Sequence, residues 1–187
     1  YTLDRPLPQP SIEPEVDLQL TFVQSVLGDT EDTWNQLFAQ MGRQYPHPTL
    51  TLFNNGVVSG CGFASSGSGP FYCPGNRQVY LDLEFFRTLE QQFSVVGDFA
   101  RAYIIAHEIG HHVQLELALS EPFEKALLEQ QPVSGDGGLE VRAELQADCL
   151  AGVWAHHAQQ RLDWLEPGDI EAALHAAAMF GDDQLQA

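Results

Sequence analysis

Basic side chains are scarce in this sequence. Its 187 residues include 8 lysines and arginines against 26 aspartates and glutamates, which gives a formal net charge of -18. A field of that sign repels phosphate groups, so the sequence argues against nucleic-acid binding and against docking on anionic lipid. Long apolar runs are also missing, since no stretch approaches the roughly 20 apolar residues that a membrane helix needs. Because the sequence begins at Tyr1 rather than Met, we expect any membrane anchor or signal peptide to precede it.

Cysteine is scarce as well, with three in the sequence. Cys61 and Cys73 flank a loop rich in glycine and serine, CGFASSGSGPFYC, which a disulfide can close. A disulfide would indicate an oxidising, extracytoplasmic compartment, whereas the alternative is two free thiols near a hairpin. A metal site on this pair is disfavoured because no CxxC spacing accompanies it. Cys149, on a predicted helix, is expected to be a small buried hydrophobic residue.

The length and the hydrophobic fraction of 44% fit one globular domain. Four prolines predict an extended linker over residues 1–14, which leaves the domain at 15–187. Helical periodicity then predicts two helices that are separated at Gly28, with Asp29 or Thr30 capping the second.

Short strands and then helices follow. The predicted strands are TLTLF, VVSGCGFA and QVYLDL. Helical patterns return in five segments: EFFRTLEQQF, GDFARAYIIAHEIGHHVQLELAL, EPFEKALLEQQ, LEVRAELQADCLAGVWAHHAQQRL and PGDIEAALHAAAMF. The fold class is therefore predicted to be α+β, with a small, mostly antiparallel sheet beside a helical body.

The strongest chemical motif is HExxH, from His107 to His111, inside a strongly helical segment. Histidines four residues apart lie on one helix face, one turn apart, where both imidazoles can bind one tetrahedral zinc ion. Glu108 lies about 100° round the helix from His107. Its carboxylate can thus reach a water at the metal without being a ligand. Two solvated histidines on an ordinary helix are the alternative, which the apolar neighbours disfavour.

A third ligand is expected from a later helix. A histidine six residues after His111, as in the metzincins, is excluded because Leu117 stands there. Glu144 can complete the site, and Asp148 lies one turn further, where it can accept the remaining ring N–H of a ligand histidine. The same face carries small side chains that let the two helices approach closely: Ala147, Ala151 and Ala155. The alternative is that Glu144 and Asp148 are ordinary surface acids.

These segments also carry a resemblance to a known family. HEIGHHVQ followed by ELQADCLAGVWAH resembles the YpfJ-like bacterial family of neutral zinc metallopeptidases. The resemblance extends to CGFASSGSGPFYCP, QVYLDLEFF and GDDQLQ, and it covers roughly Leu50 to Gln186. Members of the family usually continue past GDDQLQ into a Thr/Ser-His-Gly motif, whose histidine we expect to help stabilise the oxyanion.

The resemblance implies a zincin-like fold of the gluzincin type, in which an active-site helix packs against a helix that bears a glutamate. It implies a zinc cofactor held by His107, His111 and Glu144, with Glu108 as the catalytic base. Asp148 would stand behind a ligand histidine.

The resemblance to gluzincins also implies an edge strand that pairs with extended substrate. Gly62, Phe63 and Ala64 are the best candidates, although an ordinary hairpin remains the alternative for them.

The expected activity is hydrolysis of peptide bonds by an extracytoplasmic endopeptidase that acts on peptide or protein substrates. A zinc-binding domain that recognises peptides without cleaving them is the main alternative, and Glu108 discriminates because such a module needs no general base. A structural zinc site is a third reading, but it would normally need a fourth protein ligand. A fourth ligand is not obvious: His112 is the candidate, and it points about 100° away from His111.

Overall fold

The computed structural model describes residues 14–65, 68–92 and 97–180. The predicted linker lies outside these residues except for Pro14, which begins the first helix. The GDDQLQ segment lies outside them too. Within the described ranges, no helix combines the length and the apolar character that crossing a bilayer requires.

Six helices and five strands make up the described part of the chain. In chain order they are α1 (Pro14–Gln40), β1 (Thr49–Phe53), β2 (Gly56–Ser59), β3 (Gly62–Ser65), β4 (Phe71–Cys73), β5 (Gln78–Asp82), α2 (Leu83–Gln92), α3 (Asp98–Glu116), α4 (Glu121–Leu128), α5 (Leu139–Leu162) and α6 (Asp169–Phe180). The α+β class is confirmed.

The sheet is small and mixed. Its three strands lie in the order β1-β5-β4, and β2 and β3 form a separate antiparallel hairpin. Two of the three strand pairings described are antiparallel, but β1 and β5 run parallel, with Thr49 opposite Gln78. The middle strand β5 is buried from Val79 to Asp82, as a strand covered on both faces should be. Strand β4 was not predicted, because three residues are too few to show a periodicity.

A disulfide joins Cys61, in the turn of the β2–β3 hairpin, to Cys73 at the end of β4. The predicted pairing is therefore confirmed, and it ties the hairpin to the sheet. The prediction for Cys149 is wrong, since this free cysteine is exposed. Its neighbours Ala147 and Ala151 face the core, so Cys149 falls on the outer side of α5.

The predicted break at Gly28 is also wrong, because α1 continues through it to Gln40. One glycine inside a helix costs about 1 kcal/mol, which tertiary contacts can outweigh. The residues predicted as caps make other contacts. The Asp29 carboxylate accepts hydrogen bonds from the Trp154 indole N–H at 2.8 Å and from Arg161 at 2.9 Å. Thr30 is fully buried. These contacts fasten α1 to α5.

Helix α3 runs through the centre of the molecule. It packs against α1, α5, α6 and β4, and it is buried on most of its circumference. The apolar core around it is contributed by several elements and includes Phe38, Leu81, Leu89, Ile105, Ile109 and Trp154. Because the HExxH motif lies on this helix, its polar side chains must find their partners inside the protein.

Candidate active site

Three side chains from two helices meet at one point. His107 and His111 come from α3, and Glu144 comes from α5. The Nε2 atoms of the two histidines lie 3.2 and 3.4 Å from the same Glu144 oxygen, Oε2. Two ligand atoms about 2.0–2.2 Å from a tetrahedral zinc are separated by about 3.3–3.6 Å. Each histidine is thus about as far from Glu144 as two ligands of one zinc ion are from each other, and one ligand atom from each of the three residues lies within 4.8 Å of the others.

Asp148 orients the His107 ring from the side away from Glu144. The His107 Nδ1 lies 2.9 Å from Asp148 Oδ1 and donates to it, which turns Nε2 toward Glu144. The Tyr103 hydroxyl donates to the same carboxylate oxygen at 3.3 Å and to the Asp148 carbonyl at 3.2 Å. Burial and the nearby Asp148 charge raise the pKa of Tyr103, so its hydroxyl stays a donor. Sequence reasoning found Asp148 but missed Tyr103, one turn before His107.

The far side of His111 is held by Gln114, which sequence reasoning also missed. The ring Nδ1 lies 2.9 Å from Gln114 Oε1. The Gln114 amide in turn donates across to α5, to the Ala143 carbonyl at 2.7 Å and to Gln146 at 3.0 Å. Gln114 is 3% exposed. One side chain therefore orients a histidine and bridges the two helices that carry the site. Its spacing of three from His111 was the available signal.

Glu108 lies next to this cluster but outside it. The residue is 3% exposed, and it lines a cavity together with His107 and Glu144. The described groups that could hold a metal are His107, His111 and Glu144, and Glu108 is not among them. This placement suits a carboxylate that acts on a water beside the metal.

The two helices meet at a glycine. A Cβ atom at Gly110 would lie 2.8 Å from the Ala147 carbonyl oxygen and 3.2 Å from the Ala147 Cα. Ala147 and Ala151, on the facing side of α5, are fully buried, as their small size predicted. Ala155 is only partly buried. Gly110, the fourth residue of the motif, is thus needed for the close approach of the helices that brings Glu144 to the histidines.

His112 has a different role from its neighbour. Its Nε2 donates to the Pro46 carbonyl at 2.6 Å, and its Nδ1 accepts from the Tyr72 hydroxyl at 2.8 Å. The ring is fully buried, and burial lowers its pKa. Both ring nitrogens are therefore committed to holding α3 against β4 and the segment before β1. The structure gives no support to His112 as a fourth metal ligand.

The comparison with known proteins matches this geometry. The family described as "Putative neutral zinc metallopeptidase" matches residues 7–187. The chain belongs to this family. The match covers both helices of the His107–His111–Glu144 cluster, so the metallopeptidase resemblance expected from HEIGHHVQ and ELQADCLAGVWAH is confirmed.

Relatives of the chain come from different bacteria. The Escherichia coli (strain K12) protein YpfJ is 46% identical over 176 residues, which are 94% of this chain and 61% of YpfJ. The Mycobacterium tuberculosis protein Rv2575 is 43% identical over 175 residues, 88% of this chain and 58% of the relative. Both are described as uncharacterized proteins, and the chain spans about three fifths of their length. No solved structure gives a significant match.

The charged groups at the His107–His111–Glu144 cluster stabilise one another. Burial lowers the pKa of His107, but hydrogen bonds to Asp148 and Glu144 outweigh it and raise the pKa to about 11. Burial also lowers the pKa of His111, but the hydrogen bond to Glu144 and the negative charge of Glu108 outweigh this effect, so the pKa of His111 is raised. Burial opposes the charge on Glu144, yet the two histidines lower its pKa to about 2. The carboxylate of Glu144 and the two imidazoles thus each favour the charged form of the other.

The residues predicted to bind substrate do not line the cavity beside Glu108. Gly62, Phe63 and Ala64 form most of β3, and Phe63 is 72% exposed. None of them is among the residues that line the cavity beside Glu108. Their role in substrate binding stays a prediction.

We expect Gly110→Ala to lower the free energy of unfolding by about 1–3 kcal/mol, because a methyl group there meets backbone rather than a movable side chain. Zinc binding should weaken as well, since α3 and α5 must separate. The matched control is Gly152→Ala on α5, where nothing lies within 4 Å of the added Cβ. This control should keep or slightly raise stability. Urea unfolding, followed by tryptophan fluorescence, measures the free energy of unfolding of both variants. Equal values for Gly110→Ala and Gly152→Ala would contradict the close contact.

We expect zinc affinity to rise with pH, because His107 and His111 must lose protons to bind metal. The gain should reach about tenfold per pH unit for each proton released. In the metal-free protein, the raised pKa of His107 adds stability that is complete below its ordinary value of 6.5 and lost as pH rises through about 11. The lowered pKa of Glu144 adds stability that is present above 4.5 and lost as pH falls through about 2.

Competition with a zinc chelator at several pH values measures this dependence, and urea unfolding of the metal-free protein measures the stability. A zinc affinity that does not change with pH would show that the imidazoles are neutral without metal.

Proposed function

We propose that this domain is a zinc-dependent metalloendopeptidase that hydrolyses peptide bonds in protein substrates. The observation that carries the proposal is the convergence of two imidazole Nε2 atoms on Glu144 Oε2, with the Glu108 carboxylate beside them at a cavity. A metal site alone would serve a structural role equally well. A hydrolytic site also needs a general base, and a buried carboxylate that is next to the metal ligands but is not one of them can fill that role.

The donor set fits zinc in its chemistry as well as its spacing. Two neutral imidazoles and one carboxylate are the ligands of a catalytic zinc that keeps one position open. His107, His111 and Glu144 would hold the ion, and bound zinc would polarise the scissile carbonyl and lower the pKa of a water. Asp148 and Gln114 fix the ring tautomers by accepting the Nδ1 protons, so each Nε2 presents its lone pair.

Glu108 moves the protons of the reaction. Its carboxylate accepts a proton from the attacking water and returns it to the leaving nitrogen as the C–N bond breaks. Burial keeps this carboxylate away from bulk solvent. Tyr103, Ile104 and Phe85 line the same cavity as Glu108.

The fold supports a gluzincin-type arrangement within the proposal. A helix with HExxH packs closely against a second helix that supplies a glutamate and, one turn later, an aspartate. Extended substrate would pair with β3, which among the described strands pairs with β2 alone. The Cys61–Cys73 disulfide is consistent with an oxidising environment, so we place the domain outside the cytoplasm.

Metal removal tests the proposal directly. The zinc-loaded protein should cleave unfolded casein and hold about one zinc per chain by elemental analysis. Dialysis against 1,10-phenanthroline should abolish cleavage, and added zinc should restore it. Cleavage that persists after zinc is shown to be gone would refute a metallopeptidase.

A further inference from the structure

The cavity beside Glu108 has the character of a specificity pocket. We propose that it takes a large, uncharged apolar side chain of the residue that flanks the scissile bond, and that α6 sets the size it accepts. This inference rests on the proposed function, since it names the substrate class of the same site. Tests of the two are separable, because side-chain binding can be measured without cleavage.

Residues of three helices line the cavity. Its volume is about 280 Å³, and α3, α5 and α6 contribute most of its lining, together with Pro70 and Phe85. Glu108 and Glu144, of the proposed catalytic site, are among the lining residues. Most of the remaining lining is apolar and comprises Pro70, Phe85, Ile104, Val141, Leu145, Leu174, Ala176, Ala177 and Ala178. A peptide carbonyl at the cluster would therefore place its neighbouring side chain in apolar surroundings.

The volume suits a large side chain. An apolar cavity of roughly 150 Å³ is enough to bind benzene. The present cavity is nearly twice that size, so a phenyl, indole or leucine side chain fits with room to spare. A glycine or alanine side chain would leave most of it filled with water against apolar walls, which forfeits the gain from burial.

Charge disfavours acidic side chains. Among the described residues that line the cavity there is no lysine or arginine, and the ionisable ones include three carboxylates, Glu108, Glu144 and Asp148. A substrate carboxylate would lose its hydration there and meet like charges. Asp148 already accepts hydrogen bonds from His107 and Tyr103, and Glu144 contacts both histidines, so these two carboxylates are poor partners for a basic side chain. The mostly apolar lining favours uncharged apolar side chains.

Helix α6 supplies the wall that sets the size. Three consecutive small residues face or border the cavity from this helix, Ala176, Ala177 and Ala178. Ala176 is buried in the core, whereas Ala177 is only partly buried. Ala177 lies at the edge of the core and lines the cavity, so a larger side chain there can extend into the cavity. Leu145, on α5, also lines the cavity and is 62% exposed.

Cleavage-site mapping tests the pocket. Sites cut in unfolded casein, identified by mass spectrometry, should be enriched in leucine, phenylalanine or methionine at one flanking position and depleted in aspartate and glutamate. Ala177→Phe should shift that position toward alanine and glycine by about tenfold or more. Ala172→Phe is the matched control, since it lies on α6 outside the cavity lining. The same preference in wild type and Ala177→Phe would overturn the proposal.

Binding separates the pocket from the activity. N-acetyl-phenylalaninamide should bind the zinc-loaded protein more tightly than N-acetyl-glycinamide in NMR titrations, and Ala177→Phe should remove the difference. If casein is not cut but this difference is found, the pocket stands and the endopeptidase does not. If the two amides bind alike, the pocket is refuted. Should Ala177→Phe fail to fold, Leu145→Ala, which removes apolar wall at the exposed rim, should reduce the same preference.

Discussion

Glu108→Gln is expected to lower casein cleavage by about a hundredfold or more while zinc content stays that of the wild type. Glutamine has nearly the same shape but cannot accept a proton from water. The two histidines and Glu144 are untouched, so the geometry of the metal site should survive. Cleavage rates and elemental analysis on the same preparations measure both quantities. Glu121→Gln, an exposed acid at the start of α4, is the control and should behave as wild type.

The same variant separates an enzyme from a binding module. A domain that recognises peptides through zinc without cutting them would show the same peptide affinity in wild type and in Glu108→Gln, and neither would cleave. Cleavage by Glu108→Gln at the wild-type rate would remove Glu108 from the mechanism. Catalysis would then no longer explain why this carboxylate, which is 3% exposed, is buried beside the histidines.

Glu144→Ala is expected to lower zinc affinity by at least about a hundredfold and to abolish cleavage. It removes the oxygen that lies 3.2 and 3.4 Å from the two Nε2 atoms, and it leaves two imidazoles without their anionic partner. Asp148→Asn should have a smaller effect, about 10–100-fold in zinc affinity, because it weakens a bond behind a ligand rather than a ligand itself.

Glu140→Ala, one turn earlier on α5, is the matched control and should bind zinc normally. Zinc content and competition with a chelator measure the series. If Glu144→Ala holds as much zinc as Glu140→Ala, the third ligand is a different group and the proposed site must be redrawn.

The sequence correctly predicted which side chains share one face of a single helix. The HExxH spacing placed His107 and His111 on one face of a helix, and α3 has that helix from Asp98 to Glu116. The same logic placed Glu144 and Asp148 one turn apart on α5, and both now lie against His107. Helical periodicity depends on backbone geometry that neighbouring elements rarely alter, which is why these predictions agree with the structure.

Predictions about where a helix ends or which face is buried fared less well. Gly28 does not interrupt α1, because contacts of Asp29 with Trp154 and Arg161 hold the helix through it. Cys149 is exposed because α5 turns Ala147 and Ala151, not Cys149, toward the core. Local preference amounts to about 1 kcal/mol at such positions, and long-range packing exceeds it.

The chain order of motifs thus determined the kind of chemistry available here: two imidazoles, a neighbouring carboxylate and a glutamate on a later helix. Three-dimensional packing decided how those groups are used. Gly110 lets α3 and α5 touch, Gln114 and Tyr103 orient the ligands from behind, and α6 closes an apolar cavity beside Glu108. The division has a physical cause, because spacing along one helix is set by hydrogen bonds four residues apart. Contacts between helices depend on the shapes of surfaces that are far apart in sequence.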